Sequence, residues 1–271
     1  MPSPLALRSV TIREFDTAPN APYPFNLPLI QARPEITFDA PVTFFVGENG
    51  SGKSTLLEAI ACATNLSTAG GVDVARDATL APARALGDKL RLSWSRKTQR
   101  GLFLRAEDYF GFVKREAEIR AEMLAAHDNV DRDLNGSSDY ARALAKGVYT
   151  GQINAAVSRY GAGLDTRSHG ESFLDFFMAR FVPNGLYLLD EPEAPLSPQR
   201  QLTLLALLKQ TTAQGAQFII ATHSPILMAH PGATILEFAG GRIAPVSYED
   251  TEHYRITCAF LKNPRAFLDK L

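Results

Sequence analysis

The chain has 271 residues, 45% hydrophobic and 21% charged, which is enough apolar material to bury a substantial core as one large α/β domain or two modest ones. A formal net charge of −1 argues against wholesale attraction to nucleic acid or to an anionic membrane. Two isolated cysteines, Cys62 and Cys258, offer neither a disulfide framework nor a metal cluster and fit a reducing cytosol. The first residues lack a basic region followed by a long apolar run, so no signal peptide is expected. Nowhere do about 18 apolar residues run together, so no membrane insertion is expected and the location expected is cytoplasmic.

Residues 5–15 and 36–46 read as strands, separated by a Pro-rich stretch, 18–34. The second strand runs into Gly47-Glu48-Asn49-Gly50-Ser51-Gly52-Lys53-Ser54-Thr55, and the apolar pattern after it predicts a helix over 53–64. This is a complete phosphate-binding loop at a strand-to-helix turn. Its glycines let backbone N–H groups converge on one anion at a helix N-terminus. Lys53 is expected to reach the β- and γ-phosphates of a nucleoside triphosphate, and the Ser54 hydroxyl to ligate Mg²⁺. Phe15, Tyr23 and Phe25 are all candidates to stack on the base.

Residues 65–82 read as a polar, Gly/Ala-rich connection, and 90–94 and 101–105 alternate as half-buried strands do. Residues 84–105 hold seven basic residues against the single acid Asp88, with Trp94 and Phe103 among them. Charge and stacking capacity together make this stretch a candidate nucleic-acid contact; a solvated sheet face is the plainer alternative. From about 110 to 148 the pattern turns helical, interrupted at Asn135-Gly136-Ser137-Ser138, which predicts a helix pair. Sustained heptads, internal repeats and low-complexity tracts are absent.

Ser168 and Glu171 form a capping box, S-x-x-E, ahead of an apolar helix, and Gly170 between them leaves room for a second anion site. The run Leu186-Tyr187-Leu188-Leu189-Asp190-Glu191 is a buried strand that delivers two acids to the C-terminal edge of a parallel sheet. Asp190 is expected to hold Mg²⁺ through water, and Glu191 to act as the general base on the attacking water. A further buried strand, from Gln217, closes on Thr222-His223-Ser224-Pro225. Placed beside the Asp190 strand, it would bring His223 to the γ-phosphate.

The order of these four elements resembles the ABC-type ATPase superfamily, and more narrowly the compact bacterial ABC-class, AAA-like ATPases, with SMC, RecF and OLD-type ATPases as distant relatives. The resemblance spans nearly the whole chain, including its ending from Thr251-Glu252-His253-Tyr254-Arg255 through Phe260-Leu261-Lys262-Asn263-Pro264. It implies a single P-loop α/β domain with a mainly parallel core sheet, an N-terminal antiparallel region and a helical lobe at about 108–180. It implies Mg²⁺-dependent hydrolysis of ATP. It also implies that Ser168, Gly170 and Glu171 stand where the signature loop contacts the nucleotide of the opposite subunit, giving an ATP-sandwiched homodimer. Glu107 falls where the family usually has a glutamine that contributes at the metal.

Several positions depart from transporter ATPases: His169 replaces the first signature glycine, Arg167 the usual leucine, Glu193 a common threonine, and Ser197 an aspartate. These departures favour a switch enzyme acting on nucleic acid or a partner protein. The nucleotide-binding subunit of an ABC transporter is the alternative.

Overall fold

A computed structural model describes residues 5–15, 21–68, 77–160 and 169–270. In chain order it runs β1 (Leu7–Ile12), α1 (Pro28–Gln31), β2 (Glu35–Thr37), β3 (Val42–Val46), α2 (Lys53–Thr64), α3 (Ala81–Gly87), β4 (Leu90–Trp94), β5 (Gly101–Arg105) and α4 (Ala106–Asp133). Next come α5 (Asp139–Tyr160), α6 (His169–Arg180), β6 (Leu186–Asp190), α7 (Pro198–Ala213), β7 (Gln217–Ala221) and α8 (Pro225–Met228). The chain closes with β8 (Thr234–Ala239), β9 (Arg242–Pro245), α9 (Glu252–Lys262) and α10 (Pro264–Leu268). Two units emerge: residues 1–106 with 181–271, and residues 107–180.

The first unit holds two sheets. One is six-stranded, in the order β5-β6-β7-β3-β8-β9, parallel except for the antiparallel edge strand β9. The other is antiparallel, in the order β2-β1-β4. Every residue of β3 and of β7 is buried, as expected of strands covered on both faces. Alternation cannot reveal such strands; length and bounding turns must. Helix α2 packs on the sheet and on α3, with Leu56, Leu57, Ala59, Ile60 and Ala61 buried in the core.

The stretch 36–46 is two strands, not one. Its first part pairs with β1 in the antiparallel sheet and its second with β7 and β8 in the parallel one. The exposed Asp39 and the bend at Ala40 and Pro41 carry the chain between sheets. Gln217 ties the sheets together. Its side chain is 1% exposed; it accepts from the Leu7 N–H at 2.8 Å and donates to the Leu7 carbonyl at 2.8 Å, completing a backbone pair where no strand is available.

The basic stretch 84–105 does not form one surface. β4 lies in the antiparallel sheet, half-buried as expected, while β5 enters the core with Phe103 fully buried. Phe103 therefore has no face to offer a base. Arg105 is buried too, bound to Asp77 at 3.0 Å and Glu58 at 3.5 Å, and Arg84 donates to the Asp77 carbonyl at 2.5 Å. Lys89, Arg91, Lys97 and Arg100 remain exposed.

In the second unit, α4 and α5 are separated at 134–138, where Gly136 takes φ 89°. Lys146 of α5 reaches Asp131 of α4 at 2.6 Å. In α6, Phe173, Phe176 and Phe177 are buried and meet edge to face.

Candidate nucleotide site

The loop between β3 and α2 depends on glycine where its backbone turns. Gly47 takes φ 139°, and a Cβ there would lie 2.4 Å from the carbonyl oxygen of Phe238 on β8. Gly52, the residue before α2, takes φ 97° and leaves a Cβ only 3.0 Å from Leu29. Lys53 is 5% exposed and folds back on the loop, donating to the carbonyls of Gly47 at 2.7 Å and Glu48 at 2.8 Å. Burial lowers its pKa, against the pull of Glu191 and Asp190. A cavity of about 280 Å³ opens here, lined by loop residues with Tyr23, Leu27 and Glu191.

Neighbouring strands bring the acids and the histidine to the same sheet edge. β6 lies between β5 and β7, with Asp190 opposite Ala221. The Ser54 hydroxyl donates to Asp190 Oδ1 at 3.1 Å, joining the helix after the loop to the end of β6. Desolvation pushes the Asp190 carboxyl up to about 7; the Ser54 hydrogen bond works against this, and nearby Glu191, Glu58 and Glu193 add to it. Glu191 turns sharply, with φ 47°, a left-handed conformation costly for a side chain with a Cβ, and its N–H is held by the Ala221 carbonyl at 2.9 Å. His223 Nε2 is buried without a hydrogen-bond partner, 3.6 Å from Glu191 Oε1.

Glu193 and His253 complete this edge. Glu193 Oε1 accepts from the Thr222 hydroxyl at 2.6 Å and from the His223 N–H at 2.7 Å, so it pins the loop after β7 to the loop after β6. Its Oε2 is buried without a partner, and burial raises its pKa. His253, on α9, sits 2.8 Å from His223 Nδ1 through its Nε2. Glu48, Asn49, Glu191, His223, Glu252 and His253 share a cavity of about 590 Å³.

Two family profiles match the chain: one described as "AAA domain" over residues 28–81, the other as "AAA domain, putative AbiEii toxin, Type IV TA system" over residues 165–229. The first takes in the phosphate loop, the second Asp190, Glu191 and His223. The chain is 31% identical over 206 residues to the macrolide export ATP-binding/permease protein MacB of Bordetella avium (strain 197N), covering 73% of this chain and 28% of that protein. It is 28% identical over 212 residues to MacB 1 of Yersinia pestis bv. Antiqua (strain Antiqua), covering 73% and 28%.

The chain is similar to P-loop ATP-binding proteins of the AAA and ABC kinds.

It spans less than a third of the length of these curated relatives. Among solved structures it is similar to the SMC head domain of Thermotoga maritima (18% identity, TM-score 0.42, covering 90% of this chain and 100% of that one). It is also similar to a nucleotide-free ATP-binding cassette of an ABC transporter (16% identity, TM-score 0.47, covering 96% and 98%).

The other residues expected in the site divide by where they fall. Gly170 and Glu171 lie in the first turn of α6, in the second unit; their side chains and all of Ser168 are outside the described residues. β5 ends at Arg105, so Glu107 belongs to α4 and not to a strand end, and its side chain is likewise outside them. Of the three aromatics considered for the base, Phe15 and Phe25 pack on each other at 4.9 Å and against the core, while Tyr23 lines the loop cavity and shares a 2.8 Å hydrogen bond with Thr55. His253 and Glu193 were legible only as letters. Thr251 caps the start of α9, but nothing in the sequence says that this helix starts beside His223.

The residues present suit a magnesium nucleotide. Among the described residues no group of three His, Cys, Asp or Glu could hold a metal ion by itself. One hydroxyl and one carboxylate, Ser54 and Asp190, are the sparse donor set that leaves Mg²⁺ to complete its shell with phosphate oxygens and water. The orphaned Nε2 of His223 likewise calls for a partner.

Among the described residues no helix is long and apolar enough to cross a membrane.

Proposed function

We propose that this chain binds Mg²⁺-ATP and hydrolyses it to ADP and phosphate, as a switch that closes on ATP in a homodimer. The observation that carries this reading is the convergence of Lys53, Ser54, Asp190, Glu191 and His223 on one sheet edge. Loop N–H groups and Lys53 bind the phosphates, Ser54 and Asp190 hold Mg²⁺, and Tyr23 flanks the base. Mg²⁺ supplies charge neutralisation on the phosphates. Glu191 takes a proton from the attacking water, and His223 contacts the terminal phosphate. Glu171, Gly170 and Ser168 serve the nucleotide of the opposite copy.

Phosphate release by the wild-type protein, lost on chelating Mg²⁺, tests the chemistry; the same release with chelator present, or none in either condition, refutes it. Light scattering of Glu191→Gln tests the sandwich. Mg²⁺-ATP should shift monomer to dimer, and an ATP-bound monomer refutes the homodimer.

What the switch drives is a partner protein or nucleic acid, the latter through exposed Lys89, Arg91, Lys97 and Arg100. Stimulation of turnover by DNA or RNA supports the nucleic acid. Similarity to the ATP-binding part of MacB favours a second reading, a transporter's nucleotide-binding subunit. Recovery with an integral membrane protein supports it.

A further inference from the structure

His253 approaches the reacting end of the site from a helix remote in sequence. It is the second residue of α9, whose start is fixed from below. Thr251 is fully buried, its hydroxyl donates to the Tyr248 carbonyl at 2.7 Å, and the Tyr248 hydroxyl donates to the Pro225 carbonyl at 3.0 Å. Pro225 lies two residues beyond His223, so the segment that carries one histidine anchors the helix that carries the other. The His223 main-chain N–H donates to Glu193 Oε1 at 2.7 Å. The two rings stand 4.9 Å apart with Nδ1 of His223 2.8 Å from Nε2 of His253.

That bond has a direction. Burial first, and Lys53 next, lower the pKa of both rings, so both are neutral and a single N–H lies between them. The other nitrogen of His223 faces the Glu191 carboxyl oxygen Oε1, at 3.6 Å, and a carboxyl oxygen of this kind accepts. A proton on Nε2 suits that neighbour, and a lone pair there does not. With its one proton on Nε2, His223 must accept at Nδ1, and the donor is His253 Nε2–H.

We propose that His253 is a positioning residue for hydrolysis, donating to Nδ1 of His223 and so holding His223 in the tautomer that presents Nε2–H to the terminal phosphate beside Glu191. This rests on the assignment of His223 to the terminal phosphate made above. The bond itself can be read without nucleotide.

¹⁵N imidazole spectra of the nucleotide-free protein, taken on wild type, His253→Gln and His253→Leu, test it together with steady-state turnover. Wild type should show His223 protonated at Nε2. The glutamine amide also donates, so His253→Gln should keep that tautomer and stay within about twofold of wild-type kcat. His253→Leu should mix the tautomers and lower kcat about tenfold, the effect of one lost hydrogen bond, with KM for ATP unchanged. A wild-type His223 protonated at Nδ1 overturns the proposal, as does a folded His253→Leu with wild-type tautomer and kcat. The wild-type spectrum needs no variant, so a misfolded His253→Leu leaves the test intact. A wild-type protein that shows the expected tautomer but hydrolyses no ATP overturns the hydrolytic reading, and with it the positioning role.

Discussion

The two sides of this nucleotide site are built on different principles. On one side, Gly47 to Thr55 form a contiguous loop whose work is done by main chain: backbone turns at glycines, and Lys53 is held by two loop carbonyls. On the other, Asp190, Glu191, Glu193, His223 and His253 come from three separate segments and are brought together largely by side-chain contacts. The first side needs no particular protonation state beyond a charged lysine. The second holds a carboxyl raised to about 7 at Asp190, a half-satisfied acid at Glu193 and two histidines of lowered pKa. On the proposed reading, main-chain recognition fixes where the phosphates go, and titratable side chains decide when chemistry follows.

The contrast can be broken most severely at Glu191. Glu191→Gln should lower kcat by about 10²–10⁴-fold, the usual contribution of a positioned general base, with ATP affinity kept. Turnover near wild type would move the base elsewhere. On the other side, Lys53→Ala removes a charge-assisted phosphate contact and should weaken ATP binding about 10- to 100-fold, measured by calorimetry. Equal affinity would show that backbone alone carries the phosphates.

Asp190 gives the contrast a pH signature. Its pKa is raised in the folded state, so the native protein binds this proton more tightly than the unfolded chain. Stability without nucleotide should therefore fall as pH rises from about 4, the ordinary aspartate value, to about 7, and level off above. Asp190→Asn removes the cost. At pH 8 it should stabilise the nucleotide-free protein by on the order of 1–3 kcal/mol in denaturant titration, and the difference should vanish below pH 4. A destabilised Asp190→Asn at pH 8 would contradict the raised value.

Glu193 should give the smallest effect. Glu193→Gln keeps an oxygen for Thr222 and His223 and should change the melting temperature by no more than about 2 °C, whereas Glu193→Ala strands both donors and should cost about 1–3 kcal/mol. Equal effects of the two would mean that charge, and not hydrogen bonding, is what this position supplies.

The same division explains what the sequence makes legible. The phosphate loop is contiguous, so its glycines, Lys53 and Ser54 announce themselves together, and Asp190, Glu191 and His223 each end an apolar run at a sheet's C-terminal edge. Glu193 and His253 act through neighbours that are remote in sequence, and no local pattern marks such a meeting. The fold was legible in the same uneven way. Parallel strands β3, β6 and β7 stand out as apolar runs, but the split of 36–46 between two sheets is set by pairing partners far along the chain. Likewise the alternation of 101–105 gives no warning that β5 is buried, because its cover comes from distant residues.

The central claim is that both sides act on one magnesium nucleotide. Calorimetric titration of ATP into wild type and Asp190→Asn, each with and without Mg²⁺, tests it most directly. Mg²⁺ should tighten ATP binding to wild type and do so far less for Asp190→Asn. The same tightening in both proteins would contradict the account, because the carboxylate side would then take no part in holding the metal that the loop side shares.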